Sequence, residues 1–482
     1  MFKKKFTNLL SRFSLPVGLL LLVNFGYGAT LNAATINVPV GGNIQQALNS
    51  ANDGDTIQLA AGAYSPGTAI TINKRVTLNG QSQSGTTVQA SVIMNAGPGN
   101  GRMELTNLSV IVNSPPTYAL YIDGSNADTA PVTISNVTAR VVGSNSQGRG
   151  ILIAPHGHTI NDVLISDCTF SDNPTHGMHI DNSNGSPGGS VTNLSVSSTS
   201  FDNNNFKTSG QRGYGLYIFA YPATDPLTVD GVSFSHCSFS DNIYKGMYIE
   251  ALSNAVFDDI TVNNSGTLDG SHAAGIDINL KFGAYHNITI SNSAIINCGL
   301  NDVTSNGTGI VIKARDDGSS YGAHPATLDN VLLSAVTITG SGSGAGGAGI
   351  RFGEGSPTTG LTNVVMTGSI ITNNTPYGAI NVNPDPNGEV HDVRHNWWGD
   401  ISGPLDVVSG DSSIPDTNPN GQGDTIVGAL NYFTWREAKG IPTLTEWGMI
   451  VLSLLLTIGG LLLLYHRKTT AVDVRWSNTN LL

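Results

Sequence analysis

The sequence predicts an all-β solenoid of stacked parallel strands, and three observations carry that prediction. One short phrase recurs along most of the chain, a second recurs between its copies, and the segments joining them lack amphipathic helical patterning.

The first phrase is a glycine followed by a short stretch that alternates apolar and variable residues. It reads GRGILIA from Gly148, HGMHIDN from His176, GYGLYIFA from Gly213 and KGMYIEA from Lys245. It continues as AGIDINL from Ala274, TGIVIKA from Thr308, AGIRFGE from Ala348 and YGAINVN from Tyr377. Alternation with period two marks a strand with one buried face. The glycines stand at Gly150, Gly177, Gly215, Gly246, Gly275, Gly309, Gly349 and Gly378, which makes the repeat 27 to 40 residues long.

The second phrase is VTISNVTA from Val132, VLISDCTF from Val163, LSVSSTSF from Leu194 and VSFSHCSF from Val232. ITISNSAI from Ile288, VLLSAVTI from Val331 and VVMTGSII from Val364 extend it. The closest pair, TFSDNPTHGMHID and SFSDNIYKGMYIE, lies 69 residues apart and spans a whole turn of the pattern. An asparagine stands four residues before the glycine at Asn173, Asn242 and Asn374. Short strands with polar corners and no crossover helices fit a parallel solenoid whose insertions fall in its corners. A β-propeller needs four strands in units of about 40–50 residues, longer than most of these.

A solenoid must cover its ends. In GGNIQQALNSANDGD, Ile44, Ala47, Leu48 and Ala51 fall at helical spacing behind Asn43, a good N-cap residue. At the other end, NWWGDISGP from Asn396 and NPNGQGDTIVGALNYFTW up to Trp435 are expected to lay Trp397, Trp398, Phe433 and Trp435 over the last rung. A rival reading makes the paired tryptophans a sugar-stacking platform.

The opening helix and the strands DTIQLAAGAYSPG and AITINKRVTLNG resemble the N-terminal part of right-handed parallel β-helix proteins, the pectin-lyase-like superfamily. The closing segment resembles that of exported bacterial β-helix proteins. The resemblance runs from Ala34 to Val382. It implies a single right-handed parallel β-helix solenoid with an N-terminal helical cap and a C-terminal aromatic cap. Cap and first rungs occupy 35–95, repeats 96–383 and the capping segment 384–440. The HG at His176 and the IKAR at Ile312 are similar to fragments of polygalacturonases, but the paired aspartates that those enzymes place before the histidine are missing.

Both ends carry addresses. Residues 1–34 have the parts of a cleaved secretory signal: Lys3, Lys4, Lys5 and Arg12, an apolar centre from Leu15 to Val23, and small residues at Ala29, Ala33 and Ala34. From Trp447 to Tyr465 run 19 uncharged residues, enough for one transmembrane helix across a core of about 30 Å. His466, Arg467 and Lys468 follow, which orients the tail 469–482 to the cytoplasm and the body to the exoplasmic side. The preceding Ile441, Pro442, Thr443, Leu444, Trp447 and Gly448 resemble the IPTL-type C-terminal sorting signal (IPTL-CTERM) of Gram-negative bacteria. That resemblance implies an exosortase-like membrane protease as partner, with cleavage and delivery to the cell surface. The tail TTAVDVRWSNTNLL is longer than the basic stub of such signals, and a permanent single-pass anchor is the alternative.

Between these ends, Thr35 to Gly440 holds 15 of the 22 Lys and Arg and 32 of the 34 Asp and Glu, a net charge near −17. No basic face suited to nucleic acid is visible. Cys168 and Cys237 share one repeat position two rungs apart, too far for a disulfide, and are read as small buried apolar residues.

Within each first-phrase strand, residues between the buried ones point outward, and stacking aligns them. The middle of that ladder is rich in chemistry: Tyr217, Phe219 and Tyr248 stand among His179, Asp181, Glu250 and Asp277, with Lys281, Lys313 and Arg315 close by. Aromatic faces stack on sugars, and carboxylates bind hydroxyls or a bridging Ca²⁺. A carbohydrate groove is the sharp expectation, against plain cross-strand pairing that stabilises the sheet. Ca²⁺ has a second candidate in DTNPNGQGD, where Asp416, Asn418, Asn420 and Asp424 with Gly421 resemble the start of a calcium loop, although Val427 stands where an acidic twelfth residue is expected. The His156 and His158 pair lacks a third ligand. No complete catalytic constellation appears. The functional expectation is therefore an exported, surface-sorted protein that binds a polysaccharide or envelope glycan, or is adhesive or structural there. The alternative is a lyase or epimerase acting on uronic-acid polymers.

Overall fold

The computed structural model describes residues 33–437 apart from 114–116, 144–146, 183–187, 205–212, 269–271, 303, 305, 354–359 and 383–389. The chain winds as a solenoid in which the described strands of successive rungs pair in parallel. Each full turn contributes one strand to a first, 16-stranded sheet and one to a second, 13-stranded sheet. A short third sheet, of Thr261–Asn263, Ala294–Ile296, Thr337–Thr339 and Ile370–Thr372, covers the later rungs. Single bridges through Thr138, Thr169, Ser200 and Ser238 carry its line back toward the earlier ones.

Both repeated phrases fall into register. The second phrase forms the first sheet, with Val132, Val163, Leu194 and Val232 aligned and Ile288, Val331 and Val364 continuing the row. Ala255 fills one rung between Val232 and Ile288, in a stretch whose sequence departs too far from the phrase to show it. The first phrase forms the second sheet. Between the sheets runs one continuous apolar core, with Phe201 and Phe239 stacked at 4.9 Å and Phe234 and Phe257 at 5.5 Å.

The recurring asparagine closes one inner corner. Asn204 Oδ1 accepts from the Asn173 backbone and side chain, and Asn242 Oδ1 does the same for Asn204, all at 3.0–3.1 Å. Backbone polar groups at a buried corner need such partners. Asn204 belongs to this row although it stands eleven residues before its glycine, because an insertion separates the two.

The caps are largely as expected. The helix Ile44–Ser50 buries Ile44, Ala47 and Leu48, and Asn43 caps it by accepting from the Gln46 amide at 2.9 Å. At the far end Trp398 is fully buried and Trp435 packs partly against the core. Phe433 is a correction, since it is largely exposed and the neighbouring Tyr432 takes the buried place. Tyr432 can do so because its hydroxyl donates to the buried Asp406 carboxylate at 2.9 Å. Cys168, Cys237 and Cys298 are free and buried. No helix among the described residues is long and apolar enough to cross a membrane; the span expected at Trp447–Tyr465 and the sorting motif from Ile441 to Gly448 lie outside the described residues, as does the expected signal sequence up to Asn32.

Candidate functional site

The outer face of the second sheet carries the expected ladder. Leu152, His179, Tyr217, Tyr248, Asp277, Val311 and Arg351 are direct cross-strand partners on successive rungs. Asp123 pairs with Ala154, and Asn279 with Lys313, in a neighbouring row. The amides of Asp181, Phe219 and Glu250 bond the preceding rung at the same level, which places these side chains beside the first row.

A further row escapes the period-two reading: Tyr118, Arg149, His176, Tyr214 and Lys245. Strict alternation would turn these residues inward, because each stands two before an inward residue such as Met178. The intervening glycine breaks the alternation. A Cβ on Gly177 would lie 2.7 Å from the Gly215 carbonyl and 2.8 Å from that of Phe170, so the glycine takes the inner position and His176 turns out. The repeated glycine was the available signal.

On the middle rungs these rows form two buried ion pairs. Lys245 Nζ lies 2.5 Å from Asp277 Oδ2, and Lys281 Nζ 2.5 Å from Glu250 Oε1. Lys245 also sits over the Tyr248 ring, 4.3 Å from its centroid, and Asn279 donates to the Tyr248 hydroxyl at 2.8 Å. Burial alone would push the Asp277 carboxyl up, but Lys245, Lys313 and Lys281 together outweigh it and hold the group below its usual range. Burial, reinforced by Glu250 and Asp277, keeps the Tyr248 phenol protonated well above the usual tyrosine range.

Toward the earlier rungs lies an imidazole pair. Burial first, then Arg149, drives both His176 and His179 well below the usual histidine range, so both rings are neutral at pH 7. His179 lies 4.0 Å from Asp181. Neither ring nitrogen of His179 has a hydrogen-bond partner, and Asp277 Oδ1 and Asn279 Oδ1 are likewise buried and unpartnered. Each such atom costs about 1–3 kcal/mol unless something satisfies it.

Two expectations about ligands change. Tyr217 is sandwiched between His179 at 4.7 Å and Tyr248 at 5.4 Å, so both its faces are occupied and sugar stacking is not available there. The ladder instead presents ring edges, hydroxyls and charges. Tyr221, which stacks on Phe219 at 6.0 Å and is more than half exposed, is the aromatic at the rim. The calcium-loop residues do not converge. Asp416 accepts from Ser409 and Gly410, the Asn418 amide donates to the Ser402 and Pro404 carbonyls, and Asp424 accepts from Asn374. Asp424 is drawn away because it opens the strand Gly423–Val427 and extends the inner asparagine row. Asn420 is engaged through its backbone carbonyl by Gln422. Among the described residues no three His, Cys, Asp or Glu side chains gather to hold a metal ion.

The family model for the right handed beta helix region matches residues 149–392, half of the sequence. The chain belongs to the right-handed β-helix family. It also carries an IPTL-CTERM motif, matched over residues 439–467. No curated protein matches this β-helix in sequence. Among solved structures it is similar to the catalytic unit of a thermostable α-1,3-glucanase from Streptomyces thermodiastaticus, with a TM-score of 0.52 and 14% identity over 84% of this chain and 70% of that one. It is also similar to the A-module of a mannuronan C-5 epimerase from Azotobacter vinelandii, with a TM-score of 0.39 and 15% identity over 68% and 91%. A mannuronic-acid-specific family 6 lyase from human gut microbiota gives 0.40 and 11% over 74% and 92%. At these identities the likeness concerns the fold.

Proposed function

We propose that this β-helix is a surface-sorted protein that binds an acidic polysaccharide along the outer face of its second sheet. The observation that carries the reading is a concentration of charge. Arg149, Lys245, Lys281, Lys313, Arg315 and Arg351 all lie on or beside the ladder, six of the 15 cations in a body of net charge near −17. Lys245, Lys281 and Arg315 are paired with Asp277, Glu250 and Asp317, yet six cations brought to one face of an otherwise acidic protein set positive partners where the carboxylates of a polyanion could compete for them. The part-exposed Asp181, Tyr217, Tyr248 and Lys281 offer hydrogen bonds to sugar hydroxyls at the rim of this face. In this reading the signal sequence exports the body, the Trp447–Tyr465 run holds it at the membrane, and the IPTL-type motif hands it to a sorting protease.

Titration calorimetry of the full chain with alginate, pectate and a neutral glucan tests the reading. The acidic polymers bind, the neutral one does not, and Lys281→Ala with Lys313→Ala weakens binding at least about 100-fold, since a hydrogen bond to a charged group contributes about 1.5–3 kcal/mol. Equal binding of neutral and acidic polymers, or an unaffected double variant with a normal melting curve, refutes it. Mass spectrometry of surface-exposed protein decides the sorting step: an intact Leu482 speaks for a permanent anchor.

A second reading rests on His179. Its imidazole is unprotonated at pH 7 and its ring nitrogens lack partners, so a uronate that opened this face would meet a group able to take the proton next to its carboxylate, the opening step of a lyase or epimerase. Formation of unsaturated, ultraviolet-absorbing product on alginate or pectate, lost in His179→Ala, supports cleavage; its absence with intact binding leaves the protein a binder.

A further inference from the structure

We propose that the C-terminal end of the solenoid rests on the membrane surface while the chain is anchored, so that the solenoid axis rises from the bilayer. The inference relies on the membrane anchor of the functional reading.

The capping segment builds the terminal layer of the fold. Pro404–Leu405 pairs only with Gly423–Val427 and ends the second sheet, and Ile414 bridges Asn431 beyond the last strand of the first. This layer exposes apolar side chains in unusual number: Ile401 is 63% exposed, Val407 61% and Phe433 59%, with Val408 and Ile414 also exposed. Five of the eleven exposed large apolar residues of the described chain fall between 401 and 433. They belong to one connected structure. Trp435 Nε1 donates to the Ile401 carbonyl at 3.0 Å, and the Phe433 amide to that of Ile414 at 3.1 Å. An exposed apolar cluster of this kind marks a surface meant to be covered.

Its position names the occupant. The last described residue is Glu437, and nine residues separate it from Trp447, where the uncharged run begins. Even fully extended, that link reaches roughly 35 Å, so the terminal layer is the part of the body held nearest the bilayer. The charges beside the patch are engaged locally: Asp411 accepts from Ser413 and Gly428, Asp416 from Ser409 and Gly410, and Arg436 donates to Gly368. Among the described residues Arg436 is the basic group nearest the patch in sequence, and it is tied to the Gly368 carbonyl, so the surface suits a zwitterionic headgroup layer, into which isolated aromatic and branched side chains settle.

The full chain reconstituted in phosphatidylcholine vesicles tests this with an environment-sensitive dye on Val407→Cys or Phe433→Cys, and on Gln46→Cys in the N-terminal helix as reference. Cys168, Cys237 and Cys298 are at most 3% exposed, so labelling is selective. Emission from sites 407 and 433 shifts to shorter wavelength and is quenched by brominated lipid, while site 46 stays water-like. Water-like emission at all three sites overturns the proposal. So does a shift that vanishes when the protein is diluted among more vesicles, because a second copy is then the cover. Extraction of the chain by alkaline carbonate overturns the anchor itself and this inference with it; retention without a shift overturns the docking alone.

Discussion

Replacing Asp277 and Lys245 separately and together distinguishes a face built for a ligand from one built for stability. The two side chains are 3% and 4% exposed and their charged atoms 2.5 Å apart. Removing one partner of a buried pair costs about 3–5 kcal/mol, because the other charge is left stranded in a poor solvent. The two losses are unequal here. Asp277→Leu removes the buried carboxylate on which Lys245, Lys313 and Lys281 all act, and belongs at the upper end of that range. Lys245→Met leaves Asp277 still under the influence of Lys313 and Lys281, and belongs at the lower end. The double variant replaces the pair by apolar groups between Tyr248 and Val311 and returns to within about 1 kcal/mol of the natural protein, since an apolar replacement for a buried pair is often neutral or better. Urea unfolding followed by the β-sheet circular dichroism gives the stabilities, and alginate titration gives the affinities. The double variant should be stable and should bind poorly. A double variant that binds normally shows the pair to be structural, and one as destabilised as the two singles summed shows that the pair does not act as a unit.

Three further outcomes follow from the geometry. A Cβ at Gly215 would stand 2.6 Å from the Gly246 carbonyl and 3.0 Å from that of Phe201, so Gly215→Ala forces two rungs apart and lowers stability by about 1–3 kcal/mol, read as an earlier urea midpoint. Asn242→Ala takes the acceptor from the Asn204 amide inside the corner, while the Phe201 carbonyl keeps the Asn204 side chain, and costs about 1–3 kcal/mol by the same measurement. His176 and His179 are held neutral by burial and by Arg149, so the unfolded chain takes up more protons than the folded one below about pH 6.5, and stability falls as the pH drops. The slope is about 1.4 kcal/mol per unit per histidine until the folded-state value is reached; melting temperatures between pH 7.5 and 5.5 should fall less steeply in His176→Gln with His179→Gln, and an unchanged slope refutes the assignment.

The solenoid was legible because its two phrases repeat the physics of one rung, and every copy reports the same inward and outward pattern. Legibility failed where the pattern was broken for local reasons. The Ala255 rung carries Asp258 where the phrase has its serine and Val256 before it, and the Asn204 corner is displaced by an insertion. At the caps, aromatic content alone could not separate Tyr432 from Phe433, because the choice rests on a partner, Asp406, that lies 26 residues away. The site divides in the same way. Period two aligned His179, Tyr217, Tyr248 and Asp277, whereas Arg149, His176, Tyr214 and Lys245 were hidden by the glycine that reverses them. The Asp416–Asp424 loop shows the converse error, since calcium-like spacing in sequence does not bring side chains to one point when a strand begins inside it.

The strongest physical case for a ligand comes from comparing two outer faces of the same rungs. On the first sheet the outward row reads Glu104, Thr133, Leu164, Ser195, Ser233, Val256, Thr289, Leu332, Val365 and Asp392, with charge only at its two ends and no aromatic ring. That row shows what this fold needs on an outer face for stability alone. The second sheet spends desolvation on Lys245, Asp277 and Glu250 and leaves His179 Nε2, Asp277 Oδ1 and Asn279 Oδ1 unmatched. A solenoid can carry this cost because each rung is held by its neighbours and by the shared core, so penalties on a few rungs stay local. If sheet stability were the purpose, the cheaper solution already exists on the other face of the same turns. That unneeded cost is the physical ground on which a ligand is proposed for the charged ladder.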